Sequence, residues 1–366
     1  MKILYVTTVS STMNAFFKTH IEMLVKEGHS VDLACNNSGW PMDDFYKALD
    51  CRFFHVDFSR TPLSFDNIKA CGQLKKLIEN GKYDIVHCHT PNASVITRLV
   101  CRKFRKEHGL QVFYTAHGFH FYKGAPKQNW MLFYPVEKFC SRFTDKLITI
   151  NKEDYELARN KLKAKDVYYV PSVGVDLSRF ENVQVDRSEK RREIGVPEDV
   201  FLLFSVGELN ENKNHQVIIR ALAKLNDPHI HYAIAGEGCW NAHLLSLANA
   251  LGVSEQVHLL GYRRDIPKLN HVADAFCFPS LREGLGLSAI EAMACGLPLI
   301  TSNVHGINDY SIDGLTGYKF APTDVEGFAH GIQTLKNNEA LRRSSDQPLY
   351  CHWQGMHRQY LRIRGP

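Results

Sequence analysis

Two carboxylates, a lysine and a histidine stand in settings that suit them to chemistry. Glu283 and Glu291 bracket the run Glu-Gly-Leu-Gly-Leu-Ser-Ala-Ile-Glu, in which Gly284 and Gly286 fall between an apolar strand at 275–278, ended by Pro279, and a helix-compatible run at 287–294. A glycine loop that opens a helix leaves the first N–H groups of that helix approachable, and these favour a phosphate. A carboxylate beside a phosphate is a poor phosphate ligand but a good acceptor for sugar hydroxyls. Ser288 and Glu291 also have the spacing of a capping box, and Glu283 equally suits a solvated loop. Gly296 is a plausible helix stop, and strand resumes at 299–300.

Three more loops follow strands in this half of the chain. One is Val206-Gly-Glu-Leu-Asn-Glu-Asn-Lys-Asn214, which carries Lys213; the others are Ala235-Gly-Glu-Gly238 and Gly261-Tyr-Arg-Arg264. Each alone reads as a tight turn. In the first half, Thr115-Ala-His-Gly-Phe-His-Phe-Tyr-Lys-Gly-Ala-Pro126 packs histidines and aromatics directly behind a strand. Its aromatics suit either a ligand or their own domain core. His87-Cys-His89 lacks the full ligand set that a metal needs and reads as structural.

The elements that must position these residues alternate. In the first half, 3–8, 31–35, 85–89, 111–115 and 146–150 read as buried strands, with helical runs at 15–27, 65–79, 93–107 and 130–143. A second series starts at 201–206 and continues through a helix at 217–225, strand 231–235, helix 242–251 and strand 257–259. Apolar strands separated by helices predict parallel, doubly wound sheets. The polar, charge-rich stretch between the two series sets the division: 1–170, a linker at 171–198, 199–340, and a tail at 341–366 with no helical period.

With 366 residues, two domains are expected; an apolar fraction of 44% and a charged fraction of 23% are those of an ordinary soluble protein. No apolar run approaches the ~20 residues of a membrane span, and the N-terminus reads as a first strand, not a signal peptide. The ten cysteines show no CxxC pair, which suggests reduced thiols in a cytoplasmic protein. Residues 1–170 carry 25 Lys and Arg against 17 Asp and Glu, and residues 171–366 carry 19 against 22. A basic first half could attract nucleic acid, an anionic membrane or a phosphate-bearing acceptor.

The Glu-x7-Glu run resembles the signature of family-4 retaining glycosyltransferases with the GT-B fold, two Rossmann-like domains facing across a cleft. The resemblance covers roughly residues 1–340 and looks closest to the capsule and exopolysaccharide branch. It implies that Glu283 holds the transferred sugar, that Glu291 holds the nucleotide ribose, and that the backbone of Gly284, Leu285, Gly286 and Leu287 holds the diphosphate. It further places Lys213 on the diphosphate, Gly207 and Gly236 along the nucleotide, and the backbone near Tyr262 and Arg263 at the base. His117 matches the family's histidine near the transferred sugar, and His120, Tyr122 and Lys123 could line the acceptor side. Three departures stand out. Glu208 occupies the place of the family's diphosphate arginine, the first loop Thr8-Val-Ser-Ser-Thr12 has no glycine, and the tail is irregular.

The resemblance implies transfer from a nucleotide-sugar, most simply a UDP-sugar, to a lipid-linked or oligosaccharide acceptor, most simply a lipid-diphosphate-linked sugar, in bacterial surface polysaccharide synthesis. It implies no cofactor and no metal, in keeping with the lack of any Asp-x-Asp in the sequence. It also implies no nucleic-acid partner, and a cytoplasmic protein held peripherally at the inner face of the membrane. The alternatives are a UDP-sugar 2-epimerase of the same fold and a non-catalytic partner subunit.

Overall fold

Alternating apolar strands and amphipathic helices produce two parallel sheets. The computed structural model describes residues 1–170, 179–180 and 183–339, and the chain divides into the units Met1–Val173 and Gly174–Pro366.

In the first unit the strands are β1 (Lys2–Val9), β2 (Ser30–Asn36), β3 (Arg52–His55), β4 (Ile85–His89), β5 (Gln111–Ala116), β6 (Lys146–Thr149) and β7 (Asp166–Tyr169). Among the described residues they form one parallel sheet in the order β3-β2-β1-β4-β5-β6-β7. Successive side chains of β1 alternate between two cores: Leu4 and Val6 join Val86, Val112 and Tyr114, while Ile3 and Tyr5 join Leu33 and Ile85. Both faces are covered, which explains why these strands read as unbroken apolar runs.

The second unit repeats the plan with β8 (Phe201–Val206), β9 (Ile230–Ala235), β10 (Val257–Leu259), β11 (Ala275–Phe278), β12 (Leu299–Ser302) and β13 (Gly317–Phe320), ordered β10-β9-β8-β11-β12-β13. Its core gathers Leu203, Ile218, Tyr232, Ile234, Cys277 and Phe328.

Several expectations need correction. The run at 15–27 is two helices, Ser10–Phe16 and Lys18–Lys26, because Phe17 leaves helical geometry (ψ 0°) and turns its buried ring against Tyr5 and His89. The segment expected as a linker contains the helix Arg187–Glu193, anchored to the second unit by buried Arg191, which donates to Asp274 and to the carbonyls of Val272 and Val200. The loop expected at Thr8 to Thr12 is not a loop. β1 runs to Val9, the next helix starts at Ser10, and hydroxyls there are already engaged: Ser10 Oγ donates to the Trp40 carbonyl, and Thr8 Oγ1 lies 2.7 Å from Thr90 Oγ1. The tail at 341–366 lies outside the described residues.

Candidate active site

The site in the second unit is built by asparagines. After β8 the chain makes a 3-10 turn, Glu211–Lys213, whose first free N–H, that of Lys213, is capped by the Asn210 side chain at 3.0 Å. Asn214 then adopts a left-handed conformation (φ 53°), which asparagine tolerates. Its Nδ2 donates to the carbonyls of Pro279 and Pro322. Asn212 Nδ2 donates to the Arg282 carbonyl, and the Leu281 N–H donates to the Asn212 carbonyl at 2.8 Å. The loop after β8 is thus sewn to the loop after β11.

This stitching brings Lys213 Nζ to 2.6 Å from Glu283 Oε2, with the two side chains only 21% and 20% exposed. The ammonium also lies 4.8 Å from the centre of the Phe278 ring, and its aliphatic stem crosses Gly207. Partial burial makes this pair stronger than a surface ion pair. Glu283 is thereby held as a hydroxyl acceptor with its charge balanced. Glu208, by contrast, is exposed and makes no ion pair among the described residues.

The turn from Glu283 to Gly286 is wedged from below. Gly286 has φ 84°, and a Cβ there would stand 2.3 Å from the Phe278 ring and 2.9 Å from the Tyr310 hydroxyl. A Cβ on Gly306 would stand 1.9 Å from the Gly284 carbonyl. The helix Leu287–Ala294 starts at this turn with no side-chain cap; the Ala289 N–H turns back to the Gly286 carbonyl at 3.2 Å, and the N–H groups of Leu287 and Ser288 keep their capacity for an anion. The capping box does not form: Ser288 Oγ donates instead to the Val206 carbonyl at 3.3 Å. Glu291 is largely buried, which pushes its carboxyl above the usual range, partly offset by Arg179.

The two remaining loops close the same end of the sheet. The Gly207 N–H donates to the Ala235 carbonyl and the Gly236 N–H to the Gly261 carbonyl. Tyr262 is 69% exposed. The Arg263 guanidinium is engaged by Asp265 and Glu193, so its side chain is committed to its own domain.

In the first unit, the carboxyl ends of β4 and β5 gather four imidazoles. His89 Nδ1 lies 3.2 Å from His117 Nε2, and His87 Nε2 lies 2.8 Å from Thr115 Oγ1. The His87 and His89 rings are 4.2 Å apart, under Tyr5 and Phe17. Burial pushes His117 down to about 4 and His87 to about 3, with His20 as the next cause in each case. His89 is pushed well below its usual value by burial and then by His87. His87, His89 and His117 are therefore neutral at physiological pH.

The tautomers follow from hydrogen-bond accounting. His89 Nε2 is buried without a hydrogen-bond partner. A bare ring nitrogen is tolerated there more readily than a stranded N–H. His89 therefore carries its proton on Nδ1 and donates to His117 Nε2, and His117 keeps a proton on Nδ1. His117 is a neutral hydrogen-bond donor.

The three acceptor-side residues diverge. The His120 ring packs on Phe133 at 4.8 Å and lines an apolar cavity with Phe119 and Phe121. The Tyr122 carbonyl accepts from Trp130 Nε1, and Lys123 is exposed with its N–H donating to Glu153.

The structure brings Lys213, Glu283, Gly207 and the turn at 284–287 together in the second unit. Sequence reasoning missed Asn210, Asn212 and Asn214 as the scaffold of Lys213, although an asparagine-rich stretch after a strand is a capping and turn signal. It also missed His89 as the partner of His117, as well as Gly306 and Tyr310, which no local pattern marks. Among the described residues, no group of three or more His, Cys, Asp and Glu side chains is arranged to hold a metal ion, and no helix is long and apolar enough to cross a membrane.

The comparisons with known proteins fit this geometry. The family model described as "Glycosyl transferases group 1" matches residues 186–347, and the one described as "Glycosyl transferase 4-like" matches residues 2–151. The chain is 38% identical to the putative glycosyltransferase EpsD of Bacillus subtilis (strain 168), covering 94% of this chain and 90% of that protein. It is 28% identical to the UDP-Gal:alpha-D-GlcNAc-diphosphoundecaprenol alpha-1,3-galactosyltransferase of Escherichia coli, over 87% of this chain and 83% of that one. Among solved structures, Anabaena HepE in complex with UDP and glucose superposes with a TM-score of 0.80 at 18% identity, covering 99% of this chain and 98% of that one, a likeness of fold. With two Rossmann-like domains and a relative this similar over nearly its whole length, the chain belongs to the family-4 type of glycosyltransferases with the GT-B fold.

Proposed function

We propose that the protein transfers a sugar from a UDP-sugar to a lipid-diphosphate-linked sugar, with retention at the anomeric carbon, in the synthesis of a bacterial surface polysaccharide. The carrying observation is the Lys213–Glu283 pair beside the uncapped start of the helix Leu287–Ala294. A carboxylate next to a diphosphate repels it unless a cation stands between them. Lys213 supplies that cation, and Glu283 remains free to accept from sugar hydroxyls through its other oxygen.

In this reading the acceptor hydroxyl attacks on the face from which the nucleotide departs, and the leaving diphosphate takes the hydroxyl proton. One glycosidic bond forms as the bond between the anomeric carbon and the diphosphate breaks. Lys213 and the helix N-terminus stabilise the negative charge that grows on the leaving group. Glu291 accepts from the nucleotide ribose, and the backbone beside Tyr262 and Arg263 meets the base. His117 offers a neutral N–H to a sugar hydroxyl. No metal takes part, and the protein sits peripherally on the inner face of the cell membrane.

The test is nucleotide release by the purified protein from a panel of UDP-sugars, with and without membrane lipid extract and with EDTA. Release that requires lipid extract and survives EDTA supports the reading. Conversion of the donor without acceptor identifies an epimerase, and no turnover of any donor identifies a partner subunit. Loss of activity in EDTA, restored by magnesium or manganese, overturns the metal-free mechanism.

A further inference from the structure

Beside His117, on the first domain, the chain Gly118-Phe119-His120-Phe121 forms one wall of a cavity of about 510 Å³. Its other walls include Leu63, Ile96, Tyr114, Leu132 and Val136. Leu63 and Leu132, which line it, are 94% and 65% exposed, and their chain neighbours Phe65, Ile68 and Met131 are 84%, 69% and 76% exposed. Of the fifteen exposed large hydrophobics among the described residues, seven fall in the two short segments 63–68 and 131–139 that flank this cavity. Scattered exposed apolar residues need no explanation, but a patch concentrated around a cavity marks a binding surface. The helix Lys127–Cys140 packs Trp130, Phe133 and Tyr134 on its own core and still presents Met131, Leu132, Val136 and Phe139 outward, more apolar surface than the core uses.

Charge says what the surface faces. Segments 60–69 and 127–142 carry five basic residues (Arg60, Lys69, Lys127, Lys138, Arg142) against two acids (Asp66, Glu137). Glu137 is already neutralised: Arg98, fully buried, reaches both of its oxygens, at 2.5 and 3.0 Å, and lies under the Tyr114 ring at 4.3 Å. The one acid in the cavity wall therefore does not repel an anion, and the flanks attract one.

We propose that this cavity seats the first isoprene units of the acceptor's polyprenyl chain, with the diphosphate toward the basic segments that flank it and the sugar toward His117. The proposal rests on the lipid-linked acceptor argued above and locates its lipid part. An apolar, aromatic-walled cavity of this volume matches a drug-sized hydrocarbon, enough for the first few isoprene units and not for a whole polyprenyl chain. The remainder stays in the bilayer, against which Leu63, Phe65 and Met131 rest.

Calorimetric titration of the full chain in detergent-free buffer tests this without requiring turnover. The probes are methyl, geranyl and farnesyl diphosphate, which share a head group and differ only in hydrocarbon. Geranyl diphosphate is expected to bind about tenfold or more tighter than methyl diphosphate, and farnesyl tighter again, because each added unit buries apolar area. Val95 also lines the cavity, and Val95→Phe, which fills it with a larger apolar side chain, should abolish that gain and leave methyl diphosphate binding unchanged. Leu132→Glu, at the exposed rim, should weaken farnesyl binding with the fold intact, which keeps the test decisive if Val95→Phe does not fold. Equal affinity for the three probes overturns the proposal. It is also overturned if Val95→Phe and Leu132→Glu both leave the gain intact, or if Leu132→Glu changes only the oligomeric mass in sedimentation, which would make the patch a contact between copies. Because binding is read apart from catalysis, a flat chain-length series alongside sugar transfer to a soluble acceptor sinks this proposal alone. A failure of all transfer in the donor assay sinks the enzymatic reading and leaves the binding result standing.

Discussion

Each sheet reverses its strand order once, between β1 and β4 in the first domain and between β8 and β11 in the second. The crevice outside such a reversal is where open parallel sheets bind ligands. Both reversals are stitched in the same way, by polar side chains that cross between the two central strands. Thr8 meets Thr90 in one, and Asn212 and Asn214 reach the loop after β11 in the other. Both also contain a non-glycine residue at positive φ, Thr90 at 63° and Asn214 at 53°. Asparagine adopts this geometry readily. A β-branched threonine does not, and such an outlier typically stores about 1–3 kcal/mol of strain. The chemistry at the two places is opposite. The first gathers imidazoles, of which burial strips His87, His89 and His117 of charge; the second pairs the Lys213 amine with the Glu283 carboxyl group at 2.6 Å. Topology fixes where a site sits, and the loops decide what it can do.

The sharpest way to break this contrast is to remove the cation of the charged site. Lys213→Ala should lower kcat with saturating donor by about 10²–10³, the usual loss when one preorganised group facing developing charge is removed. Glu208→Gln, on an exposed side chain with no ion pair among the described residues, should change kcat little. Normal turnover by Lys213→Ala would mean that another cation holds the diphosphate. Equal damage from Glu208→Gln would give that carboxylate a direct role.

The neutral site is probed through His89, which touches no substrate in this reading and acts on the tautomer of His117. His89→Ala should lower kcat by about fivefold to tenfold, the worth of one hydrogen bond that orders a reacting group. His89→Asn, which can still donate to His117 Nε2, should recover most of the loss. Long-range nitrogen–proton NMR should show the His117 proton on Nδ1 in the wild type and in His89→Asn, and a mixture in His89→Ala. An unchanged His117 tautomer in His89→Ala would break the argument.

The absence of charge has its own signature in acid. His117 and His87 titrate near 4 and 3 when folded, below their unfolded value of about 6.5. Between those values the unfolded chain binds more protons than the folded one, so stability is full above about pH 6.5 and falls as pH drops toward 4 and then 3. Melting curves from pH 8 to 4 should show this decline, and it should be shallower in His117→Gln. Activity from pH 6 to 8 should show no step from His117. A shallow decline in the wild type that His117→Gln leaves unchanged would mean that the cluster is hydrated.

The smallest effect is expected under the charged site. The Tyr310 hydroxyl is buried beside Gly286 and has no hydrogen-bond partner among the described residues. Removing an unsatisfied buried hydroxyl without changing shape is typically neutral or stabilising. Tyr310→Phe should keep its activity and melt at the same temperature or slightly higher. A clear loss of kcat would show that the hydroxyl reaches the donor.

Much of this was legible in the residues. The central strands and the helix Leu287–Ala294 follow from long apolar runs and a glycine loop, and Lys213 and Glu283 stand out by residue type and loop position without reference to their 2.6 Å contact. Edge strands such as Arg52–His55, Asp166–Tyr169 and Gly317–Phe320 were not seen, because they are short and only partly buried and so lack a strong apolar pattern. The short helix Ile266–Val272 was missed for a similar reason. The break at Phe17 was hidden because an apolar residue that ends a helix looks like one that continues it. The partnership of His89 with His117 depends on β4 and β5 lying side by side, a long-range fact that spacing does not carry.

The floor of the charged site is main chain resting on main chain. A Cβ on Gly236 would stand 1.9 Å from the Gly207 carbonyl, one on Gly238 2.3 Å from the Leu209 carbonyl, and one on Gly306 1.9 Å from the Gly284 carbonyl. These positions admit no side chain, so a lineage cannot drift there to a new donor preference, and a mutagenesis library that samples them is spent on misfolded clones. The side chains free to change without disturbing that floor are the exposed ones around it, Glu208 and Tyr262 among them.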